Sequence, residues 1–237
     1  MLLDSYKPRT LIFQITYDEA FEIWDRAGAM ARALCKIWPS LKLQEGQPHY
    51  QTFAGKGISV RTGLADSTVT LKGENVFEVR NIKSLEDTYS MWYEMLDLSV
   101  LKRASTRVLY TKDFDTIKAA NAELLGMQLA EWPDTKVFDQ PMDAESNGLE
   151  IAYRFEDKAS FSLLRLKAEQ IKAEVELDPE LFDQPVLAKT KNRLVIDFDR
   201  GLLGSVDGGK FRVDEWVKGF QHVLRRDIEK VLKERKP

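Results

Sequence analysis

The stretches GISVRTG (residues 57–63) and STVTLKG (residues 67–73) decide the fold class, because apolar and polar side chains alternate along both of them. The apolar positions are Ile58, Val60, Val69 and Leu71. A period of two places these side chains on one face of a β-strand and their polar neighbours on the other. Glycines mark the ends of both stretches, where turns are expected. The pattern predicts an antiparallel sheet with one buried face and one face open to solvent.

Long amphipathic helices flank these strands. Apolar residues at helical spacing predict helices over residues 18–38, 84–103 and 213–235. The face of the first helix that is expected to be buried consists of Phe21, Trp24, Ala27, Ala31, Leu34 and Trp38. Because the tryptophans at positions 24, 92 and 216 fall on or beside such faces, we expect them in the core rather than in a ligand site. The thiol of Cys35, the only cysteine, is expected to be buried in the same way.

The predicted elements follow the same order twice. In the first half, a strand at residues 9–17 and the first helix precede four strands, the last of them at residues 75–81. In the second half, a strand at residues 106–114 and a helix at residues 115–126 precede four further strands and the final helix.

A Trp-Pro pair also follows the first helix of each half, at residues 38–39 and 132–133. We therefore predict an α+β fold, a mainly antiparallel sheet with long helices on one side and a duplicated strand-helix-four-strand-helix unit. The two units are residues 1–103 and 104–237, and they are expected to share one continuous sheet.

Two stretches carry a resemblance to known proteins: STRVLYTKDF at residues 105–114 and LVIDFDRGLL at residues 194–203. They are similar to an Arg-containing strand and to an Asp-containing strand before the terminal helix in an uncharacterised family of bacterial proteins. The element order also resembles the saddle of the TATA-box-binding protein. The resemblance implies a two-lobed α+β fold and, because some members are encoded near phage-defence genes, an accessory role in stress or phage defence. It implies no catalytic residues.

Composition excludes several classes of protein. No apolar run approaches the roughly 20 residues that cross a bilayer, and the N-terminus lacks the pattern of a signal peptide. A single cysteine leaves no disulfide scaffold and no cysteine-ligated zinc within one chain. The formal net charge is −3, so the chain does not have the excess of basic residues that is typical of general nucleic-acid binders. These features predict a cytoplasmic protein with no membrane partner.

Basic residues on the open sheet face form the candidate binding surface. They are Arg61, Lys72, Arg107, Arg165 and Lys167. A local basic face can hold an anion or the backbone of a single-stranded nucleic acid, although charged residues are also ordinary on a solvated sheet face. The leading prediction is a non-enzymatic binding or interaction protein with a protein partner and no cofactor. A nucleic-acid partner and a homodimer stay open.

Four carboxylates offer an alternative function, that of a metal-dependent hydrolase or nuclease. Glu174 and Glu176 lie two apart on one predicted strand, and Asp197 and Asp199 lie two apart on another. Each pair shares a strand face, and carboxylate oxygens suit a hard cation such as magnesium. Arg165 and nearby basic residues would instead balance these acids on a solvated face.

Residues 204–210, GSVDGGK, nearly match the phosphate-binding loop G-x-x-x-x-G-K-[ST] and offer a second alternative, nucleotide sensing. Gly204, Gly209 and Lys210 hold the matching positions, but Phe211 stands where a Ser or Thr binds magnesium. The predicted antiparallel sheet also differs from the parallel sheet of such proteins. Residues 207–209 therefore favour a tight turn.

Overall fold

One antiparallel sheet of nine strands organises the chain, which the computed structural model describes over residues 2–129, 150–176 and 186–232. The strands are β1 (Lys7–Tyr17), β2 (Lys42–Gln47), β3 (Tyr50–Gly55), β4 (Ile58–Gly63), β5 (Asp66–Lys72), β6 (Val100–Phe114), β7 (Glu150–Glu156), β8 (Ser160–Glu176) and β9 (Val186–Asp207). The helices are α1 (Glu22–Ile37), α2 (Val79–Met95), α3 (Ile117–Gly126) and α4 (Val213–Leu232), and a 3₁₀ turn at Leu2–Ser5 precedes β1. The predicted α+β class is confirmed. No helix within these ranges is long and apolar enough to cross a membrane.

The strands lie in the order β2-β3-β4-β5-β1-β6-β9-β8-β7 across the sheet. β1 and β6 are neighbours, paired from Lys7 with Thr111 to Tyr17 with Leu101. β5 lies next to β1 and is followed outward by β4, β3 and β2. β9 lies next to β6 and is followed outward by β8 and β7. The sheet is continuous between the two predicted units, and the predicted boundary between residues 103 and 104 falls inside β6. Duplication of the unit stays a prediction, and the second Trp-Pro pair lies outside the described residues.

Alternation along the strands divides the sheet into a face covered by helices and an open face. On β1, Leu11 and Phe13 are buried, whereas Ile12 between them is partly exposed. Buried side chains from all four helices join the same core, among them Met30, Leu85, Leu124 and Phe220. The helices therefore pack on one side of the sheet, as predicted, and they leave the other side open.

Three tryptophans fix helices to the core through the indole N–H group. The donor and acceptor pairs are Trp38 with Thr88 Oγ1 at 2.9 Å, Trp92 with Thr62 Oγ1 at 2.8 Å and Trp216 with Thr106 Oγ1 at 2.9 Å. A buried indole usually finds an acceptor, because its unpaired N–H would be costly away from water. Trp92 is fully buried and Trp216 packs against the core, so the predicted structural role of both is confirmed.

Several predicted strands differ from the observed ones. Residues 75–81, predicted to be a strand, form turns and the first turns of α2. The missing fourth strand of the first half is β2, all of whose side chains are exposed, so it lacks the apolar alternation that identifies a half-buried strand. Two of the four strands that are expected in the second half, at residues 159–169 and 170–178, are a single long strand, β8, over their described residues.

The second helix is shorter at its C-terminal end than predicted. α2 ends at Met95, and residues 100–103 belong to β6 instead. Between them Asp97 adopts the left-handed conformation with φ of 52°, which a right-handed helix cannot continue. The chain therefore passes from α2 into β6 through a tight connection.

Candidate binding surfaces

The open sheet face holds all five of the predicted binding residues. Arg61 lies on β4, Lys72 on β5, Arg107 on β6, and Arg165 and Lys167 on β8. Acidic neighbours neutralise four of them. The ion pairs are Arg61 with Asp66 at 2.5 Å, Lys167 with Glu169 at 3.2 Å, and Arg107 and Arg165 with Asp197 at 2.6 and 3.1 Å. The face is thus a mixed lattice of positive and negative charges, in which four of the five predicted binding residues have acidic partners.

Asp197 is the centre of this lattice. It lies on β9 between β6 and β8 and is only 6% exposed. Arg107 donates from Nε to Oδ1 at 2.7 Å and from Nη2 to Oδ2 at 2.6 Å. Arg165 donates from Nη1 to Oδ2 at 3.1 Å. The hydrogen bond to Asp197 raises the pKa of the Arg107 guanidinium. Both carboxylate oxygens are engaged, so Asp197 acts as an internal anion that joins three strands.

The carboxylate of Asp199 has fewer hydrogen-bond partners than that of Asp197. Its Oδ1 atom is buried without a hydrogen-bond partner, and so is Nε of Arg103. Nη2 of Arg103 lies 3.9 Å from Asp199 Oδ2, and its guanidinium lies over the ring of Phe161, 4.6 Å from the centroid. Burial raises the pKa of the Asp199 carboxyl, and the nearby Arg103 and Arg107 oppose this effect only in part.

This raised pKa predicts the effect of Asp199→Asn. A carboxyl whose pKa is higher in the folded than in the unfolded chain destabilises the fold when it is charged. The penalty is complete above the folded pKa and vanishes as the pH falls below the unfolded value of about 4. We therefore expect Asp199→Asn to raise the free energy of unfolding at neutral pH, with the gain lost at the acid end. Urea unfolding of both proteins at neutral pH and at a pH below 4 measures the difference in the free energy of unfolding. A variant that is less stable than the native chain at neutral pH would contradict the prediction.

The four carboxylates proposed as a metal site are not brought together. Arg165 is the cross-strand partner of Asp197, whereas Glu174 pairs with Ala188 nine positions further along β8. At about 3.4 Å per residue, the backbone at position 174 lies roughly 30 Å from that at position 165. The side chains of Glu174 and Glu176 are outside the described part. Among the described side chains, no three His, Cys, Asp or Glu residues converge as a metal site.

Residues 204–210 form a strand end and a tight turn rather than a phosphate cradle. Gly204 belongs to β9 and has a φ of 84°, next to a bulge in the pairing with β6. Asp207 accepts the N–H of Gly209 at its carboxylate, and its carbonyl oxygen accepts the N–H groups of Lys210 and Phe211. Nζ of Lys210 lies 3.1 Å from the same carboxylate. The groups that would hold a phosphate are therefore engaged within the turn.

The backbone N–H groups at the start of α4 are also engaged by a side chain of the protein itself. The N–H groups of Val213 and Asp214 donate to Oε2 of Glu86 on α2, at 2.7 and 3.1 Å. Phe211 is buried in the core and stacks near Phe13, with ring centroids 6.3 Å apart. A carboxylate of the chain itself thus takes the place at the helix N-terminus that an anionic ligand would need.

Phe21 and Trp24 lie on the solvent side of the start of α1, so the prediction that they are buried is wrong. Phe21 is 49% and Trp24 57% exposed, and their rings pack edge to face with centroids 5.1 Å apart. Cys35 is exposed as well, against the prediction. The buried residues of α1 are Ile23, Met30 and Leu34. We call Phe21 and Trp24 the aromatic pair.

An acidic hollow of about 210 Å³ lies between the start of α1 and the connection from α2 to β6, and its lining includes Ala20 and Glu22, the chain neighbours of Phe21. Its acidic lining residues are Asp18, Glu19, Glu22 and Asp97. Nζ of Lys102 lies 2.5 Å from Asp18. No described basic side chain lies within ion-pair distance of the other three acids. The stretch DEAFEIWD, residues 18–25, carries this mixture of acids and aromatics in the sequence itself.

Comparison with protein-family models and with curated proteins finds no match to this chain. The aromatic pair, the acidic hollow and the charged lattice are therefore the features from which a function can be assigned.

Proposed function

We propose that this chain is a non-enzymatic protein-binding protein and that the aromatic pair is its principal contact with the partner. The observation that supports the proposal is the exposure of Phe21 and Trp24 side by side on one helix face. Large aromatic side chains in water lose the free energy that burial would supply. Trp and Tyr are enriched among residues that carry most of the binding energy of protein interfaces, and contiguous exposed apolar groups mark such sites.

The acidic hollow indicates the chemistry of the partner. A partner that places an apolar group on the aromatic pair and a Lys or Arg side chain in the hollow would match both shape and charge. A second copy of this chain is less suitable, because a twofold contact at the pair would bring the two sets of acids together. A nucleic-acid backbone is repelled by the same acids. The partner is therefore a protein with a basic surface that surrounds an apolar anchor.

The lattice on the open face has a different role in this proposal. Most of its basic side chains already have carboxylate partners, so it stabilises the sheet and does not act as the principal binding surface. The proposal keeps the bacterial cytoplasm as the location and an accessory role in stress or phage defence, which the resemblance of residues 105–114 and 194–203 implies. Both fit a protein that acts by binding another.

Selection of a random peptide library on the full chain tests the proposal. We expect the selected peptides to combine an apolar residue with Lys or Arg and to bind more weakly as salt is raised. Trp24→Ala should weaken their binding by at least about tenfold, because a central aromatic contact is worth about 2 kcal/mol or more. Calorimetry with one selected peptide measures the effect.

Phe155→Ala is the matched control, because Phe155 is equally exposed, at 61%, on the distant edge strand β7. It should leave the peptide affinity unchanged. Since both side chains are exposed, the free energy of unfolding of each variant should lie within about 0.5 kcal/mol of that of the native chain. Peptides that bind Trp24→Ala as tightly as the native protein would contradict the proposed surface.

A further inference from the structure

A second candidate site lies on the helix-covered side of the sheet, remote from the aromatic pair. A cavity of about 400 Å³ opens between the C-terminal half of α4 and the strands β7, β8 and β9. Its apolar lining is Phe155, Leu164, Phe198, Val223, Leu224 and Ile228. This volume lies within the range of about 300–1,000 Å³ that small-molecule sites occupy. Strand pairing builds its floor, because Phe155 is opposite Ser162 and Ser162 is opposite Arg200.

Arg200 is the unusual residue of this lining. It points into the apolar, helix-covered side of β9, where it is partly buried, and its Nη1 atom donates to Ser162 Oγ at 3.2 Å. No carboxylate among the described residues lies within ion-pair distance of its guanidinium. A partly desolvated guanidinium whose bonded partner is a neutral hydroxyl has unused capacity for an anion.

Two acids lie near Arg200, and both are engaged elsewhere. Asp227 lines the cavity but pairs with Arg226 at 2.6 Å and with Lys230 at 2.8 Å. Asp157, at the turn between β7 and β8, accepts the backbone N–H groups of Ala159 and Ser160. The titratable lining residues Arg200, Lys230 and Asp227 together carry one net positive charge. The cavity therefore combines an apolar body with a cationic end.

We propose that this cavity binds an anionic amphiphile, a free medium-chain carboxylate. Its alkyl chain would lie along Phe155, Phe198 and Ile228, and its carboxylate would accept hydrogen bonds from the Arg200 guanidinium. A guanidinium offers paired N–H donors that match the two oxygens of a carboxylate. A free phosphate or sulfate would leave the apolar walls in water, and a neutral alkane would leave Arg200 unpaired, so the lining favours a ligand with both parts.

Octanoate and octanol provide the direct test, because they share one chain length and differ in the charged end. With the full native chain at neutral pH, we expect calorimetry to show octanoate binding at least about tenfold more tightly than octanol. Arg200→Gln should remove this preference while it leaves octanol binding unchanged. Phe155→Ala should weaken both ligands, and Trp24→Ala should change neither.

The comparison of the two ligands on the native protein needs no variant, so it decides the question even if Arg200→Gln fails to fold. Absence of octanoate binding at millimolar concentration, or equal affinity for octanoate and octanol, would overturn the proposal. Octanoate binding that Arg200→Gln does not weaken would overturn the role of Arg200. Loss of octanoate binding in Arg200→Gln, with partial recovery in Arg200→Lys, supports it. None of these results depends on the peptide-binding function.

Discussion

Asp197→Ala is expected to lower the free energy of unfolding by about 3 kcal/mol. The substitution removes a buried carboxylate that accepts three N–H groups from Arg107 and Arg165. It leaves two guanidinium groups close together on the open face with no shared anion between them. Removing one member of such a pair costs more than the pair itself contributes, because the remaining charges stay partly desolvated. Urea unfolding followed by circular dichroism measures the change.

Asp66→Ala is the matched control on the same face. Asp66 also binds a guanidinium, that of Arg61 at 2.5 Å, but its side chain is 30% exposed against 9% for Asp197. Water can replace the lost partner there, so the expected cost is below about 1 kcal/mol. If the two substitutions lower the free energy of unfolding equally, the burial of Asp197 does not determine the cost of removing its carboxylate. Asp197 would then not be the central residue of the lattice.

Gly208→Ala is expected to destabilise the fold by about 3 kcal/mol, because the turn before α4 packs against backbone. A Cβ atom at Gly208 would lie 2.1 Å from the carbonyl oxygen of Leu98, a contact that only a backbone shift can relieve. The glycine also donates its N–H to the carbonyl oxygen of Ser99 and accepts the buried hydroxyl of Tyr89 at its own carbonyl oxygen, so movement would break both hydrogen bonds. Thermal and urea unfolding of the variant measure the cost.

Gly219→Ala is the control, because it is expected to stabilise the fold rather than to destabilise it. Gly219 lies inside α4, and a Cβ atom there would meet no atom within 4 Å. Alanine should raise helix stability by about 0.5–1 kcal/mol through its better helix propensity. A neutral Gly208→Ala would contradict this expectation, because it would mean that the turn can move away from the Leu98 carbonyl oxygen at little cost.

The sheet was predictable from sequence because its two faces differ in chemistry. Alternation at Ile58, Val60, Val69 and Leu71 identified β4 and β5, and all four of these residues are buried. β2 was not predictable in this way, because a strand with no buried face carries no periodic signal. The junction near Asp97 was missed because apolar spacing continues past the residue where the backbone changes conformation.

The aromatic pair was misplaced because two apolar stripes overlap on α1. Phe21, Trp24 and Ala27 follow helical spacing, but so do Ile23, Ala27 and Met30, one residue further round the helix. The large side chains of Phe21 and Trp24 favoured the first stripe as the buried face, whereas the buried residues of α1 are Ile23, Met30 and Leu34. Periodicity shows that one face is apolar, and only packing decides which of two adjacent faces meets the core.

The charged lattice was predictable in position but not in pairing. The period of two placed Asp197 and Asp199 on one strand face, and Arg165 was named among several basic residues that would balance the acids, without a specific partner. The larger contact, from Arg107, joins residues 90 positions apart and depends on β6 lying next to β9. Sequence spacing within a strand cannot supply the order of strands across the sheet, so the central pair required the structure.

The most direct measurement for the protein-binding account is fluorine NMR of the chain labelled with 5-fluorotryptophan and titrated with a selected basic peptide. Each of the five tryptophans gives one resonance, and Trp24→Phe assigns the resonance of Trp24. The account predicts that the Trp24 resonance shifts as peptide binds while those of the buried Trp38 and Trp92 stay in place. A Trp24 resonance that does not move when the peptide saturates the protein would contradict the account.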